Sequence, residues 1–186
     1  MKEITVGKFV VSLLVIITIS FSLSLLTAPT IVTGASAAGT TTVSVGVSTT
    51  ISLPTSTVAF GSLDVNEYND TVDDDPPPFT LQNDGSVDVN ITVQATTIWN
   101  SSMGGNDTVY YRYNISESED GTLFNVTEDV INSSWPFFRT DAVTAVTRVN
   151  FSNNNDLLEI DINITVPGDE SQGDKSSSVT FTASQA

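Results

Sequence analysis

Val87-Asp88-Val89-Asn90-Ile91-Thr92-Val93-Gln94-Ala95 carries an aliphatic side chain at every odd position and a polar one at every even position. Successive side chains of an extended strand point to opposite faces, so this stretch predicts a strand with one dry and one wet face. A helix of 3.6 residues per turn would scatter the same residues around its surface. The same alternation recurs outward in both directions. It appears in Val43, Val45 and Val47, in Val109, Tyr111, Tyr113 and Ile115, and in Ile160, Ile162, Ile164 and Val166. Val143, Ala145, Val149 and Phe151 share one parity with Thr147, and Val179, Phe181 and Ala183 form the last dry face. Shorter strands are predicted at 58–63, 79–82 and 123–126. Asn83-Asp84-Gly85 reads as a tight hairpin turn before the central strand, and Asn153-Asn154-Asn155-Asp156 as a turn. Pro167-Gly168-Asp169 ends a strand, and Pro76-Pro77-Pro78 must be a stiff loop. Eight or nine strands, each with one wet face, predict an all-β fold: a single antiparallel β-sandwich of the immunoglobulin-like or jelly-roll-like kind.

Composition removes most chemistries. The 186 residues hold 6 Lys+Arg against 22 Asp+Glu, with no His and no Cys. That leaves no imidazole base, no thiolate and none of the usual nitrogen or sulfur ligands for zinc, haem or iron–sulfur clusters. Six cations cannot cover a phosphate track against so many acids, so nucleic acid is not an expected partner. Catalysis is not expected either. Paired carboxylates such as Glu117, Glu119 and Asp120 near the tyrosines suggest glycoside hydrolysis only weakly, because no cleft at a defined separation is implied.

Phe9–Leu26 is an uncharged run of 18 residues behind Lys2 and Lys8, and it is followed by Ala35-Ser36-Ala37. Residues 1–37 therefore read as a secretory signal whose hydrophobic part forms a helix. The alternatives are an uncleaved anchor, since 18 helical residues rise about 27 Å, and cleavage after Gly7. Each places residues 38–186, a single domain, outside the cell or at its surface, with a membrane contact through 9–26 only if the segment is kept. Without 1–37 the chain has 4 basic and 21 acidic residues.

Nine Asn-X-Ser/Thr sequons begin at Asn69, Asn90, Asn100, Asn106, Asn114, Asn125, Asn132, Asn150 and Asn163. With 14 Asn, and 39 Ser or Thr among the 149 residues after 37, chance gives roughly 4 under the acceptor rule. Asn90, Asn114, Asn150 and Asn163 share the polar parity of their strands, where an N-linked glycan would face water. The rival reading is that Asn and Thr merely decorate exposed strand positions. The run Asp64, Glu67, Asp70, Asp73, Asp74, Asp75 offers the oxygens that calcium takes, with Asp70, Asp73, Asp74 and Asp75 as candidate ligands. It lacks EF-hand spacing, so a solvated acidic loop is the ordinary alternative. Trp99, Trp135, Phe137 and Phe138 offer an aromatic surface for an adhesive or carbohydrate-binding site, or plugs at the end of the core.

Several of these stretches together resemble a family of secreted, immunoglobulin-like surface proteins. They are the strand 43–53 leading to Val58-Ala59-Phe60-Gly61-Ser62-Leu63, the block Phe79-Thr80-Leu81-Gln82-Asn83-Asp84-Gly85-Ser86, and the ending Val166-Pro167-Gly168-Asp169-Glu170 with Ser178–Ala183. The likeness is to fibre proteins of the TasA and camelysin type and to archaeal bundling pilins, and it implies an exported structural role. The residues themselves allow a route to assembly. Segment 38–53 directly follows the expected cleavage site. Thr41, Val43, Val45 and Val47 would form its apolar or β-branched contact face, able to join a neighbouring copy's sheet edge or pair within its own sheet. Copies of itself, other envelope proteins and N-linked glycans are the expected partners. The rival function is a surface adhesin.

Overall fold

The computed structural model describes residues 42–104, 108–131 and 134–186. The chain divides into two units, Met1–Ser44 and Val45–Ala186, and every described strand lies in the second. The strands are β1 (Ile51–Thr55), β2 (Tyr68–Asp70), β3 (Phe79–Asn83), β4 (Val89–Ala95), β5 (Tyr111–Glu117), β6 (Val143–Val149), β7 (Leu157–Thr165) and β8 (Val179–Gln185). One helical turn, α1 (Val126–Asp129), is N-capped by the Asn125 side chain. The expected signal segment lies outside the described residues. Among those described, no helix is long and apolar enough to cross a membrane.

All strand pairs are antiparallel and fall into two sheets. In the larger one, β7 is the spine. β5 runs along one edge from Tyr111↔Ile164 to Glu117↔Leu158. The other edge is shared end to end by β3, from Phe79↔Ile160 to Gln82↔Leu157, and β2, from Tyr68↔Thr165 to Asp70↔Asn163. β1 lies beyond β3. In the smaller sheet β4 is central between β6 and β8. Its alternation holds without a break: Val89, Ile91, Val93 and Ala95 are buried while Asn90, Thr92 and Gln94 are not. These residues share one core with Leu81, Tyr113, Ile115, Leu158, Ile160, Ile162 and Ile164 of the larger sheet. Phe79 on β3 meets Phe181 on β8 edge to face, at 6.1 Å between centroids.

Five local expectations are corrected. The predicted hairpin at Asn83-Asp84-Gly85 instead carries the chain from one sheet to the other, because β3 pairs β7 and β4 pairs β6 and β8. Asn83 is fully buried at this corner. Its Nδ2 donates to the carbonyls of Val87 (3.0 Å), Val149 (3.2 Å) and Asn150 (3.1 Å), and its Oδ1 accepts from Gly85 N. The opening strand is Ile51–Thr55 rather than 43–53, and residues 58–63 form no strand. Around Leu123 there is only an isolated bridge to Val149 before α1. On β6 the register shifts against β4, so Ala145 and Val146 are both buried while Phe151 is exposed, which breaks the expected parity. The short β2 was not expected at all.

Candidate functional site

The chain ahead of β1 is the first candidate. Ser48 O accepts from Ser86 N at 2.9 Å and Ser48 N donates to Ser86 Oγ at 3.0 Å, which pins the segment beside the corner. Beyond that pin residues 42–50 join no strand, and Val43, Val45 and Val47 are 77%, 85% and 62% exposed. Thr41 lies outside the described residues. The outermost strands are correspondingly open. β1 pairs only β3 and β8 pairs only β4 among the described residues. Their inward side chains Ile51, Leu53, Val179, Phe181 and Ala183 are half-buried, unlike the closed core beneath β4. An outer edge with unpaired backbone groups is a template for another strand.

The acidic loop is a hydrogen-bonded knob. Thr71 is fully buried at its base: its N donates to Ile162 O (3.1 Å), its Oγ1 donates to Asp161 Oδ1 (2.9 Å) and accepts from Ile162 N (2.9 Å). Above it, Asp74 N donates to Thr71 O, Val72 N to Asp70 Oδ1 and Asp75 N to Asp73 Oδ1. The carboxylates of Asp70 and Asp73 thus cap their own turn. Among the described residues, no group of three or more acidic side chains is arranged to hold a metal ion. The turn leaves Val72 61% exposed at its tip, flanked by exposed Asp73, Asp74 and Asp75. Burial pushes the Asp161 carboxyl up, the Thr71 hydrogen bond opposes this, and Asp70 and Asp74 add to the rise. Glu159 is raised by burial and by Asp161 and Asp74.

The aromatic residues separate. Trp99 and Phe138 belong to the core, so they form no surface platform. Trp99 Nε1 donates to Tyr110 O at 3.1 Å, and the Phe138 ring lies 4.3 Å from Tyr111 and 4.8 Å from Tyr113. Trp135 and Phe137 remain at the surface, on a strap that crosses between the sheets. Tyr113 N donates to Pro136 O, Phe138 N to Tyr111 O, and Ala95 N to Arg139 O. Between strap and strands lies a groove of about 780 Å³, lined by Tyr113, Trp135, Pro136, Phe137, Arg139 and Val143 among others. Trp135 has a left-handed backbone, φ 52°, which a bulky residue adopts only when its surroundings hold it there. Arg112 stacks on the Phe137 ring with Cζ 5.6 Å from the centroid, while its Nε donates to Val109 O. Burial pushes the Tyr113 phenol up to about 12, so it stays neutral. The chain's aromatic content pointed to this region, but nothing in the sequence separates the buried Trp99 from the surface Trp135, or adds Val143 to the groove.

Of the sequons, Asn106 and Asn132 lie outside the described residues. Asn100 and Asn125 are exposed, and Asn69, Asn90, Asn114, Asn150 and Asn163 are half-buried. Asn114 and Asn163 lie opposite Asp161 and Arg112 respectively, on the polar face of the larger sheet. Asn150 follows β6 and donates through Nδ2 to Gly121 O. No family model, no curated protein and no solved structure matches this chain.

Proposed function

We propose that the protein is an exported, N-glycosylated structural subunit of the cell surface. In this reading it is an immunoglobulin-like β-sandwich that polymerises by donating the segment around Val43–Val47 to a neighbouring copy. The observation that carries this reading is the exposed, alternating valines, in a chain whose outer strands β1 and β8 each pair with one strand only among the described residues. Burying a valine-sized side chain contributes roughly 1.5–3 kcal/mol, so three of them together with backbone hydrogen bonds suffice for a junction after ordering costs. A head-to-tail contact of this kind does not close and therefore propagates.

The test is Val45→Asp in the full chain. Because Val45 is exposed, thermal unfolding should be unchanged while fibres disappear from sheared surface material under negative stain. Fibres that persist with normal yield, or a chain that unfolds, would overturn strand donation.

A further inference from the structure

We propose that the donated segment is received along the outer edge of β8, in the smaller sheet of the next copy, and not along β1. This rests on the reading of the chain as a strand-donating subunit. Two outer strands could take a further strand, and they are built differently. β1 has five residues, its register against β3 shifts between Ser52 and Thr55, and it contains Pro54. A proline has no N–H to offer an incoming strand, and an irregular register turns an edge away from pairing; both are ordinary ways of closing an edge. β8 carries neither device. Its seven residues, Val179-Thr180-Phe181-Thr182-Ala183-Ser184-Gln185, include no proline, glycine or charge, and all seven pair with β4 in one unshifted register.

Backbone direction and side-chain direction agree on β8. Thr96 N donates to Ser178 O and Ala186 N to Asp88 O. In an antiparallel ladder the even-numbered residues between them therefore face β4, and Val179, Phe181 and Ala183 turn their N–H and C=O outward. The same three side chains point toward the core and are only half-buried. A strand laid beside them presents its own alternate side chains to that inward face. Val43, Val45 and Val47 supply three apolar side chains at this spacing, with Ser44 and Gly46 between them. Charge favours the same sheet. β4, β6 and β8 contain no acidic residue, whereas Asp70, Glu117, Glu159 and Asp161 lie in the larger sheet. Residues 42–50 are uncharged too. In a chain of formal charge -16, two copies meet here with little repulsion. In its own copy the segment is tied to the corner before β4. Ser86 Oγ donates to Gly46 O at 3.4 Å and accepts from Ser48 N, and a Cβ at Gly85 would collide with Ser48 O. Tied there, residues 42–50 join no strand of their own copy, and β8 receives the segment of another.

The experiment uses the full chain carrying Ala183→Pro, which removes one outward N–H and sets a ring where the incoming strand would lie, while the ladder to β4 is kept. Thermal melts check that it folds, with Ala183→Lys, an inward-pointing charge on the edge, as the substitute if it does not. The concentration at which fibres appear under negative stain should rise at least about tenfold. Below that concentration the Ala183→Pro and Val45→Asp chains should each sediment as monomers. Their mixture leaves one intact segment and one intact edge, so it should form dimers and nothing longer. The chain has no cysteine of its own, so Ser44→Cys combined in turn with Thr180→Cys, Thr182→Cys or Ser184→Cys should yield disulfide-linked multimers on oxidation. Fibres unchanged in a folded Ala183→Pro chain would overturn the β8 assignment. So would multimers formed only when Ser44→Cys is combined with Ser52→Cys on β1, disulfides closed within one copy, or Thr182→Cys chains that link to each other with Val45→Asp present. Fibres that survive Val45→Asp overturn donation itself, whereas loss with Val45→Asp and survival with Ala183→Pro overturn only the choice of edge.

Discussion

Replacing Asn83 by Asp exchanges two N–H donors for a second oxygen while leaving shape and volume almost unchanged. In the native corner those donors serve three carbonyls at 3.0–3.2 Å, that of Val87 just ahead of β4 and those of Val149 at the end of β6 and Asn150 just after it, while Oδ1 holds Gly85 N. The Gly85 bond survives the substitution. The three carbonyls lose their donor and face a carboxylate oxygen instead. A buried polar group left unpaired costs about 1–3 kcal/mol. Since the two N–H groups are shared among three acceptors, the loss amounts to about 3–5 kcal/mol, a large part of the 5–15 kcal/mol available to a domain of this kind. At about 2–4 °C per kcal/mol for this size, the melting temperature should fall by about 6–20 °C. Urea unfolding followed by tryptophan fluorescence would measure it, with an unchanged slope indicating that only stability moved. Asn83→Ala should also destabilise, since it loses the same donors and the Gly85 bond. A change below about 1 kcal/mol in Asn83→Asp would refute the idea that this side chain locks the corner between the sheets.

Two further predictions concern pH. Glu170 is held at about 2 by its hydrogen bond and ion pair with Lys175 and by the backbone N–H groups of Ser101 and Asn100, below its ordinary 4.5. A lowered carboxyl contributes stability above its unfolded value and loses it as pH falls toward the folded one. Glu170→Gln should therefore unfold more readily at neutral pH, and the gap from the parent should narrow between 4.5 and about 2. Asp161 has the opposite sign. Its raised carboxyl makes the native state hold a proton that the unfolded chain has released, so stability should fall as pH rises above the ordinary value of 3.8. Asp161→Asn keeps an oxygen for Thr71 and should flatten that slope in urea titrations, and an unchanged slope would count against the assignment.

How much of this could be read from residues differs from element to element. β4 was legible because every odd side chain is buried, and period 2 carries the whole signal there. β6 misled because its register shift buries both Ala145 and Val146, which alternation alone cannot encode. The corner at Asn83 misled for a chemical reason. The Asn side chain that supports a two-residue hairpin also satisfies a turn between sheets, and only the identity of the paired strands tells them apart. β2 has three residues amid acids and gives no periodic signal. The acidic run was visible as charge, but its character as a knob depends on Thr71 reaching Asp161, 90 positions away. The groove likewise required the strap to be pinned to β5, a contact that no local pattern announces.

The position of β7 has a consequence for how the chain folds. Its partners β2, β3 and β5 all precede it, and the pair Phe79↔Ile160 spans 81 positions. Until residues 157–165 have been made, the larger sheet is limited to the β1–β3 pair, since no other of its pairs can form. Contacts so distant in sequence close slowly, because the loop entropy is lost before any burial is gained. A nascent chain of this topology therefore cannot complete its larger sheet, or close the core against it, until its spine strand arrives.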